Sequence, residues 1–134
     1  MNSPFTTFGA FSWCELLTDQ PEKAKEFYGQ LFGWTLEEMK MQGGPEYLVI
    51  KVGDTAIGGM MKKPSMAKDA PNYWGTYVTV KSADETAAKA KKLGATILVP
   101  PTDIPGVGRF CVLQDAQGAT LSAINYIPME KPLQ

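Results

Sequence analysis

Two stretches of this chain follow the same plan, and this internal repeat limits the possible folds more than any other feature. The first runs from Leu17-Thr18-Asp19-Gln20-Pro21-Glu22 to Leu31-Phe32-Gly33, and the second from Val80-Lys81-Ser82-Ala83-Asp84-Glu85 to Lys92-Leu93-Gly94. In each, an apolar run ends at a helix cap, an amphipathic helix follows, and a glycine closes it. The two starts lie nearly half the chain length apart. The sequence therefore predicts one domain built from two copies of a strand–helix–strands unit.

Both predicted helix starts fit the capping box. In this motif the first side chain accepts a hydrogen bond from an orphan backbone N–H, and a glutamate that follows it reaches back. The predicted pairs are Asp19 with Glu22 and Ser82 with Glu85, and Pro21 falls in the first turn, where its missing N–H costs little. A coincidence of common capping residues is the alternative, and the repetition of the flanking strands argues against it.

Composition favours a packed domain and argues against a nucleic-acid partner. With 44% hydrophobic and 20% charged residues, the 134-residue chain has enough apolar surface for a core. The formal net charge is −1 and the lysines form no continuous basic run, so we expect no nucleic-acid partner. No apolar run is long enough for a bilayer, and no secretory signal precedes the first strand. We therefore expect a cytoplasmic protein with no membrane partner.

The absence of histidine excludes several kinds of site, because the chain has none. Histidine acid–base catalysis, Ser-His-Asp triads and imidazole metal ligands are all removed. Two cysteines, Cys14 and Cys111, fall in predicted strands. Free thiols in a reducing cytoplasm are the expectation for them, with a disulfide as the open alternative.

Each half of the chain is predicted to have the order β-α-β-β-β. The first repeat covers about residues 10–61, a linker rich in proline and small residues covers 62–72, and the second repeat covers about 73–126. Within the first repeat, Gly43-Gly44-Pro45 is predicted to form a turn. In the second, a strand is predicted to end at Pro100-Pro101, with a loop over 102–108. The tail from Pro128 is predicted to be loose.

This paired unit resembles the vicinal oxygen chelate superfamily, which includes glyoxalase I, bleomycin-resistance proteins and extradiol dioxygenases. The resemblance covers almost the whole chain, and the order and spacing of the motifs carry it. The matching motifs are the run from Asp19 to Tyr28, Leu31 to Trp34, Val80 to Asp84, Leu93-Gly94-Ala95, Gly106 to Arg109 and Asp115 to Ala119. It implies an α+β fold, in which two tandem βαβββ modules form a curved mixed sheet shaped as a cup, with the helices outside.

The resemblance also implies where a metal would be bound in enzymes of this superfamily. The first ligand lies seven residues before the capping residue of each half, which gives Ser12 and Gly75, and the last-strand positions fall at Gly58 or Gly59 and near Ser122. Hydroxyls and bare Cα atoms do not replace imidazole and carboxylate ligands. We therefore expect neither a metal nor another cofactor. Glu15, Cys14 and Asp54 are the nearby substitutes, and Glu15 would need a strand bulge to turn into the cup.

The cup is expected to hold a small molecule. Strand alternation assigns Ser12, Cys14 and Leu16 to the lining and Trp13, Glu15 and Leu17 to the helix-covered face. Tyr77 is the strongest single candidate, and Arg109 either clamps an anionic group or is an ordinary exposed arginine. Glu15 is either paired or faces a pocket. Each candidate has a role in the core as its alternative, and the full predicted ligand-binding set is Ser12, Cys14, Met60, Trp74, Tyr77, Arg109, Phe110 and Ser122.

Four functions are compatible with these patterns, and the first is favoured. It is metal-independent small-molecule binding, as in resistance by sequestration. The second is an enzyme that uses Tyr77, Glu15 or Cys14 without histidine, for which no activating partner is visible, so no catalytic residue is assigned. The third is a glyoxalase-like or dioxygenase-like metalloenzyme with unusual ligands. The fourth is a protein–protein module, because members of the superfamily commonly form homodimers.

Overall fold

The computed structural model describes residues 3–40, 46–64 and 69–127. The predicted turn at 43–45, the middle of the predicted linker and the tail from 128 lie outside them. The element order confirms the α+β fold and the two βαβββ modules. The elements are β1 (Phe11–Thr18), α1 (Pro21–Phe32), β2 (Thr35–Lys40), β3 (Glu46–Val52), β4 (Thr55–Lys62), β5 (Tyr73–Thr79), α2 (Ala83–Lys92), β6 (Thr96–Ile104), β7 (Gly108–Gln114) and β8 (Thr120–Tyr126).

The described residues form two compact units. The N-terminal unit lies within Trp13–Trp74, and the C-terminal unit lies within Met1–Ser12 and Gly75–Glu130. In the N-terminal unit the strands are ordered β2-β3-β4-β1, with β1 parallel to β4 and the other pairs antiparallel. In the C-terminal unit the order is β5-β8-β7-β6, with β5 parallel to β8. Each unit thus carries a mixed sheet with the same internal order.

The two helices begin in different ways. Ser82 is the N-cap of α2, and its hydroxyl accepts a hydrogen bond from the backbone N–H of Glu85 at 3.1 Å. This confirms the predicted cap at Ser82 and the first of the two hydrogen bonds of the capping box. The N-cap of α1 is Gln20, without a side-chain cap bond, so the predicted cap at Asp19 is wrong. Asp19 instead accepts a hydrogen bond from the side-chain amide of Asn72 at 3.3 Å. The true N-cap of α1 therefore lies one residue later than predicted.

That shift of one residue reverses the predicted faces of β1. Leu16, predicted to line the cup, is 5% exposed and belongs to the core cluster that packs against α1. Since neighbouring residues of a strand point to opposite faces, a slip of one position moves every side chain to the other side of the sheet. Cys14 and Leu16 therefore face α1, and Trp13 and Glu15 face away from it. The cluster consists of Leu16, Leu48, Ile50 and Met60, with Ala24, Tyr28, Trp34 and Leu36 packed around it.

In the C-terminal unit, Tyr77 and Ser122 of the predicted ligand-binding set share the face of the sheet opposite α2. Ala87 of α2 packs against Cys111 and Ala123, which places these two strand residues under the helix. Tyr77 pairs with Ser122 in the ladder between β5 and β8, and alternation puts both on the face opposite α2. The cap at Ser82 was correctly predicted, and the strand that leads to it was therefore read in the correct register.

Strand β6 is longer than predicted because it continues through Pro100 and Pro101 to Ile104. Register shifts with β7 occur between Ile97 and Val99 and between Val99 and Thr102. Proline lacks a backbone donor, and it is tolerated in an edge strand or at a bulge. Strand β6 is the terminal strand of its unit and has both features, so the predicted strand end at Pro100-Pro101 is wrong.

Candidate functional site

A hydrogen-bonded chain of side chains lies on the face of the N-terminal sheet opposite α1. The indole N–H of Trp13 donates to the Tyr47 hydroxyl at 2.8 Å, and that hydroxyl donates to Oε2 of Glu15 at 2.7 Å. Tyr47 is only 8% exposed, and Trp13 and Glu15 are half-buried. We call these three residues the polar face. Such a convergence of polar groups on a largely buried surface is typical of binding and catalytic sites.

Gly59 makes this arrangement possible. It stands opposite Glu15 in the ladder between β1 and β4, and a Cβ atom at this position would collide with the ring and hydroxyl of Tyr47. The ring therefore crosses β4 over the bare glycine to reach the carboxylate. The neighbouring Gly58 serves another purpose, because a Cβ there would strike the backbone carbonyl of Cys14.

The charge of Glu15 acts on a second phenol. Burial raises the pKa of Tyr73 above its ordinary value, and the negative charge of Glu15 raises that pKa further. Both effects disfavour the phenolate, so Tyr73 stays a neutral hydroxyl at physiological pH. The polar face thus combines the carboxylate of Glu15 with the indole of Trp13 and the buried phenol of Tyr47. The phenol of Tyr73 is neutral, and the charge of Glu15 raises its pKa.

A second feature of the N-terminal unit is an aromatic pocket of about 440 Å³ on the α1 side of the sheet. Two predicted site residues, Cys14 and Trp74, meet here. The indole N–H of Trp74 donates to the Tyr28 hydroxyl at 3.3 Å. The walls are apolar and largely aromatic, which suits a flat hydrophobic group. The lining residues are Cys14, Tyr28, Phe32, Trp34, Ile50, Ile57, Gly58 and Trp74. Met60, which belongs to the predicted ligand-binding set, is fully buried in the adjacent core instead.

In the C-terminal unit the structure brings together three predicted site residues on the face opposite α2. The Tyr77 ring lies 6.4 Å from the Phe110 ring, and Ser122 is the ladder partner of Tyr77. All three are buried or half-buried. The hydroxyl of Ser12, which also belongs to the predicted set, shares a 2.8 Å hydrogen bond with the Tyr126 hydroxyl. Burial raises the pKa of Tyr126.

Arg109 is not available as the predicted anion clamp. Its Nε donates to Asp84 at 2.9 Å, and its NH1 group donates to Asp103 at 2.9 Å. These hydrogen bonds raise the pKa of the guanidinium, which stays charged. Since Arg109 is neutralised by two carboxylates of its own unit, it links α2 and β6 to β7.

The sequence pattern placed Trp13 and Glu15 on the wrong face of β1 and indicated Tyr47 only as a possible wall of the cup. One signal in the sequence could have corrected this. Proline is strongly favoured at the first position of a helix, so Pro21 points to Gln20 as the N-cap. Counting back from Gln20 places Trp13 and Glu15 in register with Gly75 and Tyr77 of the second repeat.

The residues at the expected metal positions do not fit a metal. Counted from the true N-caps, the first-strand positions are Trp13 and Gly75; an indole N–H has no lone pair to offer, and glycine has no side chain. The last-strand positions are Gly59 and Ser122, which add at most a neutral hydroxyl. Among the described residues, no group of three or more Cys, Asp or Glu side chains is arranged to hold an ion.

The sequence of the chain matches a known family over most of its length. A sequence model of the Glyoxalase/Bleomycin resistance protein/Dioxygenase superfamily matches residues 10–122. The chain belongs to this superfamily. Within the described part of the chain, no helix is long and apolar enough to cross a membrane.

Relatives with curated names include longer proteins. The chain is 43% identical over 122 residues to the Mycobacterium tuberculosis protein named "Putative glyoxylase CFP32", a match that covers 91% of this chain and 46% of that protein. It is 26% identical over 126 residues to the Streptomyces peucetius "Anthracycline biosynthesis protein DnrV", covering 85% of this chain and 46% of the relative. The chain therefore spans about half the length of these relatives.

Solved structures show the same fold. Methylmalonyl-CoA epimerase from Mycobacterium tuberculosis aligns with a TM-score of 0.65 at 14% identity, over 92% of both chains. At this identity the likeness establishes the vicinal oxygen chelate fold and leaves the chemistry to the residues of this chain.

Proposed function

We propose that this protein binds a small organic molecule without a metal, on the polar face of its N-terminal unit. The single observation that carries the proposal is the chain from Trp13 through Tyr47 to Glu15, because it gathers an indole, a phenol and a carboxylate on one face of the sheet, as binding sites do. Superfamily membership supports small-molecule binding. The misfit of Trp13, Gly59, Gly75 and Ser122 to a metal supports the metal-free form.

Native mass spectrometry of the full chain, purified gently from its own cells, tests this proposal. We expect a retained molecule that is lost after Tyr47→Phe and kept after Trp74→Phe, since the first variant alters the polar face and the second the aromatic pocket. The reverse pattern would move the site to the pocket. A chain that carries no molecule and shows no thermal shift with any member of a metabolite library contradicts the proposal.

An enzymatic function is the second candidate, and one observation favours it. A carboxylate held by a phenol at 2.7 Å is suited to accept and return a proton. The relative is named a glyoxylase and the structural neighbour is an epimerase, which agrees with such chemistry. Elemental analysis distinguishes a metal-free enzyme from a metalloenzyme. One tightly held metal per chain would favour a metalloenzyme, such as a lyase, isomerase or dioxygenase with atypical ligands.

We also propose that the chain is a cytoplasmic homodimer. The exposed apolar side chains of α1 support dimerisation, because Phe27, Leu31 and Phe32 are each more than half exposed. The free thiols of Cys14 and Cys111 agree with a reducing compartment. Light scattering during gel filtration should give twice the chain mass, and Leu31→Ser should shift it toward the monomer. Fractionation of the native cells tests the location.

A further inference from the structure

We propose that the aromatic pocket on the α1 side of the N-terminal sheet is a second binding site, for a neutral planar aromatic molecule that carries a carbonyl group at its edge. The polar face lies on the opposite side of the same sheet, so this inference goes beyond the proposed function and stands without it. The volume of about 440 Å³ is within the usual range of small-molecule sites and leaves room for about two or three fused rings.

The orientation of the rings in the wall is the first argument. The Trp34 ring is stacked on the Tyr28 ring at a centroid distance of 5.7 Å, with an angle of 25° between their planes. The Trp74 ring stands nearly at right angles to both, at 77° to Trp34 and 82° to Tyr28. Aromatic pairs prefer offset-stacked or edge-to-face contacts. A planar ligand that stacks parallel to Trp34 therefore meets Trp74 edge to face, so one orientation suits both walls.

The direction of the hydrogen bond in the wall is the second argument. An indole N–H only donates, so the oxygen of Tyr28 accepts from Trp74 at 3.3 Å. The phenol proton of Tyr28 is not used in this bond, and no residue in the described part of the chain accepts it. Because this hydrogen bond is exposed, a bound molecule can reach the proton. A carbonyl oxygen is an acceptor that lies in the plane of an aromatic ring system and requires no charge.

The third argument is the neutral and preformed character of the pocket. None of the described residues that line it is acidic or basic, so the lining offers no compensation for a charge on the ligand. Tyr28 and Trp34 pack against the buried core cluster of the N-terminal unit, which fixes two walls before a ligand arrives. A preformed wall loses less conformational freedom on binding. These features favour a neutral, rigid molecule over a charged or flexible one.

The test uses three matched probes with the full chain. 2-Acetylnaphthalene has both the flat rings and the carbonyl, 2-isopropenylnaphthalene replaces the carbonyl oxygen by a methylene group, and 2-acetyldecalin keeps the carbonyl on saturated rings. Ligand-observed NMR titration gives each Kd. We expect 2-acetylnaphthalene to bind about fivefold or more tightly than 2-acetyldecalin, since contacts between aromatic rings add to the burial of apolar surface.

Cys14 reports where the probe binds, because its thiol is free and exposed and the residue lines the pocket. 2-Acetylnaphthalene should slow the alkylation of Cys14 by iodoacetamide at concentrations near its Kd. Cys111 is fully buried and should stay unmodified with or without the probe, so the reaction follows one site. An unchanged rate at saturating probe would place the probe elsewhere and overturn the proposal.

Three variants test the named contacts. The isopropenyl probe leaves water more readily than the ketone, so the readout is the change in their affinity ratio between parent and variant. Tyr28→Phe should lower the ratio of ketone to isopropenyl affinity about three- to tenfold, the usual contribution of a neutral hydrogen bond. Tyr126→Phe is the matched control, because it removes a hydroxyl that is bonded to Ser12 in the C-terminal unit, and it should leave the ratio unchanged. Trp74→Leu should reduce the preference for 2-acetylnaphthalene over 2-acetyldecalin. Circular dichroism verifies that each variant is folded.

Each of the following results overturns the proposed pocket ligand. An equal loss of ketone and isopropenyl affinity in Tyr28→Phe would give this residue a structural role only. Equal affinity for the flat and the saturated ketone, or no binding of any probe, would exclude a planar aromatic ligand. Binding to Leu31→Ser but not to the parent chain would make a second copy of this chain the occupant. Loss of binding in Tyr47→Phe with none in Trp74→Leu would move the probe to the polar face.

Discussion

The hydroxyl of Tyr47 donates to the carboxylate of Glu15 at 2.7 Å, across a strand whose intervening residue, Gly59, has no side chain. The two partners are far apart in sequence, on β3 and β1. Their contact requires that β4 lies between these strands, and it requires a glycine at the crossing point. This relationship joins the fold to the candidate site, because a change at Gly59 should alter the polar face without touching its polar atoms.

Gly59→Ala should destabilise the protein by about 1–3 kcal/mol, the usual cost of inserting a methylene group into a packed region. The new Cβ would displace the Tyr47 ring and break its bond to Glu15. Chemical denaturation measures the change. Gly29→Ala is the control, because a Cβ at Gly29 would lie 3.5 Å from the Trp34 carbonyl oxygen, an ordinary contact. Gly29→Ala should stabilise α1 by about 0.5–1 kcal/mol, because alanine is favoured over glycine inside a helix. Equal stability of Gly59→Ala and the parent would contradict the prediction.

The two thiols should differ strongly in reactivity. Cys14 is exposed, whereas Cys111 is fully buried, and burial raises its pKa so that less thiolate is present at any given pH. Ellman's reagent at pH 8 should therefore titrate one thiol rapidly in the folded protein and the second after denaturation. In Cys14→Ser the fast phase should vanish. A fast phase of two thiols in the parent would show that Cys111 is accessible.

Arg109→Gln should have only a small effect on stability, and this effect should fade at high salt. The guanidinium reaches two exposed carboxylates, Asp84 and Asp103, and exposed ion pairs are screened by water and ions. Thermal unfolding at low and high salt measures the difference. Ligand affinity should stay unchanged, in contrast to the sequence-based hypothesis of an anion clamp. A large loss of affinity in this variant would restore that hypothesis.

Stability should fall above about pH 10, the ordinary pKa of tyrosine. Burial raises the pKa of both Tyr73 and Tyr126 in the folded protein, so the unfolded chain loses these protons first as the pH rises. Their contribution is complete below the unfolded pKa and is lost as the pH rises through the folded one. Urea unfolding at pH 9 and pH 11 should show the loss, and Tyr73→Phe and Tyr126→Phe should each reduce it. An unchanged slope in both variants would assign the loss to other groups.

Much of the fold could be predicted because its signals are local. The strand–helix–strands repeat, the cap at Ser82 and the left-handed glycine at Gly33 follow from neighbouring residues. The extent of β6 could not be predicted, because two consecutive prolines, Pro100 and Pro101, are as a local pattern typical of the end of a strand. These prolines are tolerated within β6 because β6 is the terminal strand of its unit and its register shifts against β7.

The faces of β1 were predicted less well than the fold, for a reason that starts at one residue. Asp19 is a better capping residue by chemistry than Gln20, and the capping-box pattern therefore favoured it. In the structure Asp19 is hydrogen-bonded to Asn72, and α1 begins one residue later. Strand faces alternate with every residue, so a shift of one residue moves each side chain to the other face. Trp13 and Glu15 therefore lie on the face away from α1, where Cys14 was predicted.

The sequence by itself determined the repeated architecture, the superfamily and the absence of histidine chemistry, because these depend on short-range patterns and composition. Only the tertiary structure decided which side chains from distant strands lie side by side. Strand pairing brings Glu15 next to Gly59 and lets the Tyr47 ring pass over Gly59 to reach the Glu15 carboxylate. Long-range pairing of this kind is set by the packing of the whole unit, and no local pattern around any one of these residues encodes it.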